Sequence, residues 1–146
     1  MINKYNFVYS KAAAARILNV SPYAIAKFEK WAWVCFVQVK GQRPIFISFK
    51  VFKQHFADKR KKDSSSLCAN RVEGNHFRVV NPQKGTAYSV FVEDDGIDCG
   101  CKDFENQTTI LKCRPCCKHG YAVLTWLGCD RLSDYLTRVR IPKAAL

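Results

Sequence analysis

Two short ligand-type pairs stand fifteen residues apart in this sequence, Cys99-x-Cys101 and Cys117-x-His119. Three thiols and an imidazole suit zinc, a borderline ion that takes four such ligands in a tetrahedron. Two cysteines one residue apart on a turn can both reach one ion. Cys117 and His119, at the entry to an apolar helix, can close the cage from the other side. Three thiolates around Zn²⁺ leave a single net negative charge, which Lys102, Lys112, Arg114 and Lys118 are near enough in sequence to offset. The ion in turn lowers the thiol pKa values enough to ionise them at neutral pH. Four protein ligands leave no open coordination position, so the expectation is one structural zinc and no zinc catalysis. Cys113-x-x-Cys116 is itself a zinc-type pair, and Cys116 is an alternative to Cys117. Cys35, Cys68 and Cys129 lack ligand spacing; Cys35 and Cys129 read as packing residues and Cys68 as incidental.

The elements that would hold these ligands follow from patterning. His76 to Val80 and Ala87 to Glu93 alternate, with Phe77 and Val79 on one face and Tyr88, Val90 and Val92 on one face. Asn81-Pro82 through Gly85 turns the chain between them, giving a hairpin. Asp94-Asp95-Gly96 ends the second strand, and turn chemistry accounts for these acids better than a carboxylate metal site does. Leu132, Tyr135 and Leu136 have helical spacing near the end. The arrangement C-x-C, a variable gap, then C-x-H before Tyr121, Ala122, Val123 and Leu124 resembles the SWIM zinc finger on its ββα scaffold, over about residues 74–129. Asp103-Phe104 and Lys118 agree with that family. The resemblance implies Cys99, Cys101, Cys117 and His119 as the ligands, and so selects Cys117 over Cys116. It implies DNA or a protein as partner.

The first part of the chain reads helix, turn, helix, hairpin, helix. Ser10 can cap a helix over Lys11 to Asn19 with Ile17 and Leu18 inward. Ser21 can cap a second helix, with Pro22 at its first position and Ala24, Ile25 and Phe28 on its apolar side. Trp33 to Lys40 and Ile45 to Ile47 read as strands joined through Gly41 and Arg43-Pro44. Ser48 can cap a short helix carrying Phe49, Phe52 and Phe56. The segments AAAARILNVSPYAIAKF and VKGQRPIFISFKVFKQHF resemble the winged helix-turn-helix of the excisionase family, related to MerR-type regulators. That resemblance implies a recognition helix presenting Ser21, Tyr23, Lys27 and Lys30 to DNA, and a wing presenting Lys40, Gln42 and Arg43. The lysines and arginine would neutralise phosphates, leaving Tyr23 and Gln42 to read bases. The segment EKWAWVCFVQVK departs from the family in being unusually aromatic.

Charge supports a polyanionic partner. Residues 1–62 carry 13 Lys+Arg against Glu29 and Asp58, a net of +11, whereas residues 63–146 carry 11 against 10, a net of +1. Such a basic unit attracts nucleic acid. The charged and then serine-rich run after Ala57 predicts a flexible linker over 58–73, separating a unit at 1–57 from one at 74–146. The expected fold class is therefore α+β, a small winged helix-turn-helix followed by a ββα zinc module. No run of 18 apolar residues is present. The N-terminal residues are broken by Asn, Lys and Arg and lack the apolar core of a signal peptide, which places the chain in the cytoplasm. There, eight cysteines serve as ligands or reduced core residues. No G-x-x-x-x-G-K-[ST] loop and no H-E-x-x-H helix occurs, and His55 and His76 have no evident nucleophile beside them in sequence. The expectation is a non-enzymatic DNA-binding protein, a regulator or mobile-element accessory factor. The alternative is an adaptor whose SWIM-type module docks on a partner protein.

Overall fold

The computed structural model describes residues 3–111 and 114–140. It divides the chain into two compact units, Met1–Lys59 and Arg60–Leu146. The architecture is α+β with two antiparallel sheets.

The first unit opens with helices α1 (Lys4–Val8) and α2 (Lys11–Leu18). Ser10 caps α2 as expected, its Oγ accepting the Ala13 N–H at 3.0 Å. Asn19 ends it in the left-handed conformation, φ 56°. The side of α2 that buries is Ala13, Ala14 and Ala15, while Ile17 and Leu18 are only half-buried. Small residues there let the backbone approach its neighbours closely.

The expected second helix does not form. Ser21 caps only a single 3₁₀ turn, Pro22–Ala24, and the chain then runs as strand β1 (Ile25–Lys30). Strand β1 pairs antiparallel with β2 (Val34–Val39), which pairs with β3 (Ile45–Ser48). The hairpin between β1 and β2 is closed by the Trp31 N–H donating to the Val34 carbonyl at 2.8 Å. The cause is long-range. Ala24, Ile25 and Phe28 suit a helix face, but β2 is apolar on both faces and central, so it needs a neighbour on each side. The segment 25–30 supplies the second neighbour. The first unit therefore has no helix in the position expected for a recognition helix. The hairpin of β2 and β3 turns through Gly41, at φ +75°, as the sequence predicts.

Helix α3 (Phe49–Ser64) carries Phe52, which is fully buried and lies 5.7 Å from the Tyr9 ring and 6.2 Å from Phe28 between centroids. Phe56 meets Phe7 edge-on at 5.2 Å. This helix continues through the first half of the expected linker. The serine run ends it: Ser64, Ser65 and Ser66 each donate from Oγ to the carbonyl three residues before. Strand β4 (Cys68–Glu73) takes up the remainder. Residues 58–73 are thus mostly ordered secondary structure, because charged residues of good helix propensity sustain α3 and because β4 finds an edge to pair with.

The second unit is a four-stranded sheet in the order β4, β5 (His76–Asn81), β6 (Thr86–Glu93), β7 (Gly96–Cys99). Asn81 fixes the β5–β6 turn by accepting the Gln83 and Lys84 N–H groups on its Oδ1. Three helices follow: α4 (Lys102–Ile110), α5 (Lys118–Trp126) and α6 (Leu132–Arg140). Phe77, Val79, Val90, Val92 and Ile97 from the sheet join Val123, Leu124, Tyr135 and Leu136 from the helices in one core. Cys35 and Cys129 are buried as expected, and Cys68 is exposed. Among the described residues, no helix is long and apolar enough to cross a membrane.

Candidate metal centre

Cys99 ends β7, Cys101 is the N-cap of α4, Cys117 is the N-cap of α5, and His119 lies in the first turn of α5. All four are buried, and their ligand atoms lie within 4.8 Å of one another. Cys117 Sγ is 3.7 Å from His119 Nδ1. Around an ion with bonds of about 2.3 Å to sulfur and 2.0 Å to nitrogen, a tetrahedral S–N edge is roughly 3.5 Å. The donor set and its spacing therefore fit a metal ion. Liganding through Nδ1 leaves the histidine proton on Nε2.

The three thiols act on one another's protonation. Cys101 is drawn well below the usual thiol range by hydrogen bonds from the Cys117 and Cys99 thiols, helped by the Phe104 N–H at 3.3 Å from its Sγ. Cys99 is pushed up to about 11, chiefly by sharing its proton with Cys101, and Cys117 is pushed up by Cys101 and then by Cys99. A bound dication allows all three thiols to ionise. Two ligands occupy helix N-caps, where the unpaired N–H groups favour negative sulfur.

A second layer of contacts fixes the loop that delivers Cys117 and His119. Gln107 of α4 accepts the Cys116 N–H on Oε1 and donates from Nε2 to the Cys116 carbonyl, both at 3.0 Å. The same Nε2 lies 2.9 Å from Asp103 Oδ2. Asp103 in turn receives both Nε and an Nη of Arg60, at 2.9 and 2.8 Å. The Tyr88 ring lies 4.6 Å from the imidazole of His119 between centroids. Gly120 is closely packed: a Cβ there would come 3.0 Å from Cys116 Sγ, a tight contact, and 3.6 Å from Ile97 Cγ2.

Cys116, the alternative ligand, is buried one residue before the cluster but is not one of its four members. Its thiol is pushed up to about 12, mainly by burial and then by the Asp103 charge. Cys113 and Lys112 lie outside the described residues. Of the other cations, Lys102 lies within 3.4 Å of Glu105. Asp94 and Asp95 form the β6–β7 turn. Gln107 and Arg60 were missed in the sequence. The i, i+4 spacing of Asp103 and Gln107 was the available signal for one; nothing local marks a partner 43 residues away for the other.

The seven residues expected at DNA are not gathered as a helix and wing would gather them. Ser21 accepts the Tyr23 N–H at 3.2 Å, and Tyr23 itself projects into solvent. Lys27 and Lys30, expected on one helix face, lie on opposite faces of the sheet. Lys27 Nζ sits 5.7 Å from the Phe36 ring, whereas Lys30 Nζ sits 5.0 Å from Phe49 and 5.8 Å from Tyr9. Lys40, Gln42 and Arg43 are exposed in the β2–β3 turn. That turn is beside the Tyr23 segment, since the Lys40 N–H donates to the Ala24 carbonyl at 2.8 Å. Elsewhere, His76 stacks on Phe91 and its Nε2 is 2.9 Å from Ser89 Oγ on the exposed sheet surface.

Compared with known proteins, the chain matches no protein-family model, no curated protein and no solved structure.

Proposed function

We propose that this chain is a cytoplasmic, non-enzymatic DNA-binding protein whose second unit is a SWIM-type module held together by one structural zinc ion. The observation that carries the zinc reading is the buried set of three thiols and one imidazole with ligand atoms within 4.8 Å. Zinc suits that set better than the harder divalent ions, which prefer carboxylate and water. With four protein ligands the ion has no open position for substrate, and its role is to hold β7, α4 and the start of α5 together.

The DNA reading rests on charge. Up to residue 62 the chain is net +11, and Lys27, Lys40 and Arg43 are exposed on β1 and the β2–β3 turn. These cations would contact phosphates, giving affinity before any sequence preference. A salt titration with the full chain tests this. The expected result is duplex binding whose log affinity falls linearly with log salt, with a slope of roughly −0.9 per phosphate neutralised. Charge reversal at Lys27, Lys40 and Arg43 together should abolish it. No binding to DNA at low salt would sink the reading and favour the adaptor.

A further inference from the structure

The outer face of the first unit's sheet is aromatic, and the fold gives it no core to cover. Phe36 pairs across β1 with Glu29 and across β3 with Phe46, so these three share a face. Lys27 and Gln38 form the next row on the same face. Trp31, from the β1–β2 turn, folds back over it. Its ring stacks on Phe36 at 5.4 Å with 15° between planes, and lies 5.1 Å from Phe46. Much of this surface meets solvent: Trp31 is 44%, Phe46 55% and the neighbouring Trp33 84% exposed.

We propose that this face is a stacking platform for single-stranded DNA. The inference rests on the DNA reading above and specifies the form of DNA bound. Three relationships support it. First, aromatic rings and cations alternate along the sheet. Trp31, stacked over Phe36, and Trp33 two residues on in the same turn stand at one end, Phe46 lies against Trp31 with Lys27 in the next row, and Lys40, Arg43 and the 86% exposed Tyr23 are at the other end. Bases stack on rings while lysine and arginine follow the phosphates, which is the division of labour at single-strand sites. Second, the segment expected to enter the major groove is a strand, and an aromatic cluster on a sheet face reaches only bases that are already unstacked. Sheet platforms of this kind hold about two or three bases. Third, the rings are held in place. Trp31 Nε1 donates to Glu29 Oε2 at 2.9 Å, and Glu29 is also paired with Lys27 at 3.2 Å. Glu29 is thus the one acid on the face, is neutralised by its neighbour, and acts as a positioning residue for the indole.

The test uses the full chain, a 12-nucleotide oligothymidine, a mixed-sequence 12-base-pair duplex and a 12-nucleotide oligouridine, followed by fluorescence anisotropy and tryptophan quenching at one salt concentration. The oligothymidine should bind at least about tenfold tighter than the duplex and quench tryptophan emission. Trp33→Ala, in the β1–β2 turn where the side chain is 84% exposed, should weaken oligothymidine binding about tenfold, the loss expected for one stacked base, and leave duplex binding unchanged. Glu29→Gln keeps an acceptor for Trp31 and should retain quenching, whereas Glu29→Ala should lose part of it. Equal affinity for both DNA forms, with Trp33→Ala altering neither, overturns the platform and leaves the DNA reading standing. Failure of every oligonucleotide to bind removes both. Oligouridine binding tenfold tighter than oligothymidine overturns the assignment to DNA.

Discussion

Gln107 brackets Cys116: its side-chain amide accepts that residue's N–H and donates to its carbonyl, each at 3.0 Å. The bracket matters because Cys116 immediately precedes Cys117, a candidate ligand. It sets the position from which Cys117 and His119 enter the cluster, so the outer contacts belong to the candidate metal site as much as the sulfur atoms do. Gln107→Ala leaves two buried backbone groups without partners. At about 1–3 kcal/mol for each unsatisfied group, the second unit should lose roughly 2–6 kcal/mol. Metal affinity should fall by about tenfold or more. Urea unfolding and competition with a chromogenic chelator measure the two effects; an unchanged chelator competition would detach Gln107 from the metal site.

Gly120 tests the packing behind the cluster. Alanine is the better helix former by about 1 kcal/mol, yet its Cβ would press on Cys116 Sγ at 3.0 Å. Overpacking of that kind costs about 1–3 kcal/mol. Gly120→Ala should therefore be destabilising on balance. Pairing it with Cys116→Ala removes the opposing sulfur, so the double variant should be less destabilised than the two single effects predict. Strict additivity in thermal denaturation would contradict the contact.

The strand assignment of 25–30 has its own readout. Strand β1 lies at the edge of its sheet, so only amides directed at β2 are paired. Hydrogen exchange followed by NMR should show alternating protection along Ile25–Lys30. Protection at every consecutive amide would indicate the helix that the sequence suggested.

The first unit should weaken in alkali. Burial pushes the Cys35 thiol up, and it also raises the Tyr9 hydroxyl, with the Cys35 charge adding to the latter. Both groups are held neutral in the folded state. Their contribution is fully present below the unfolded values, about 9 for the thiol and 10 for the phenol. It is lost as pH rises through the higher folded values, because there the native state binds more protons than the unfolded one. The urea midpoint of the first unit should fall progressively above about pH 9, and Cys35→Ala should flatten the slope. A midpoint level from pH 8 to 11 would contradict this.

What the sequence made legible was local. The C-x-C and C-x-H pairs carry their chemistry in residue type and spacing, and the four side chains do come together. The hairpin at 76–93 and the strands at 34–39 and 45–48 follow from alternation. The segment 21–30 was misread because Ala24, Ile25 and Phe28 satisfy a helical face and a strand about equally, and the deciding partner is β2, which lies beyond a turn. The run 58–73 reads as a linker because charge and serine usually mark one. Here Arg60 forms a two-pronged pair with Asp103, and Lys61 pairs with Asp130. Neither partnership can be seen from within the run itself.

The central claim is that the buried thiols and imidazole hold a structural zinc ion, and metal content tests it most directly. The full chain, purified without chelator and analysed by mass spectrometry for metals, should contain one zinc per chain. Cys117→Ser should lower that content, and chelation should unfold the second unit while tertiary signals from the first persist, since binding energy supplies folding energy at such a site. A second unit that stays folded without metal, and takes up no zinc on titration, would contradict the account.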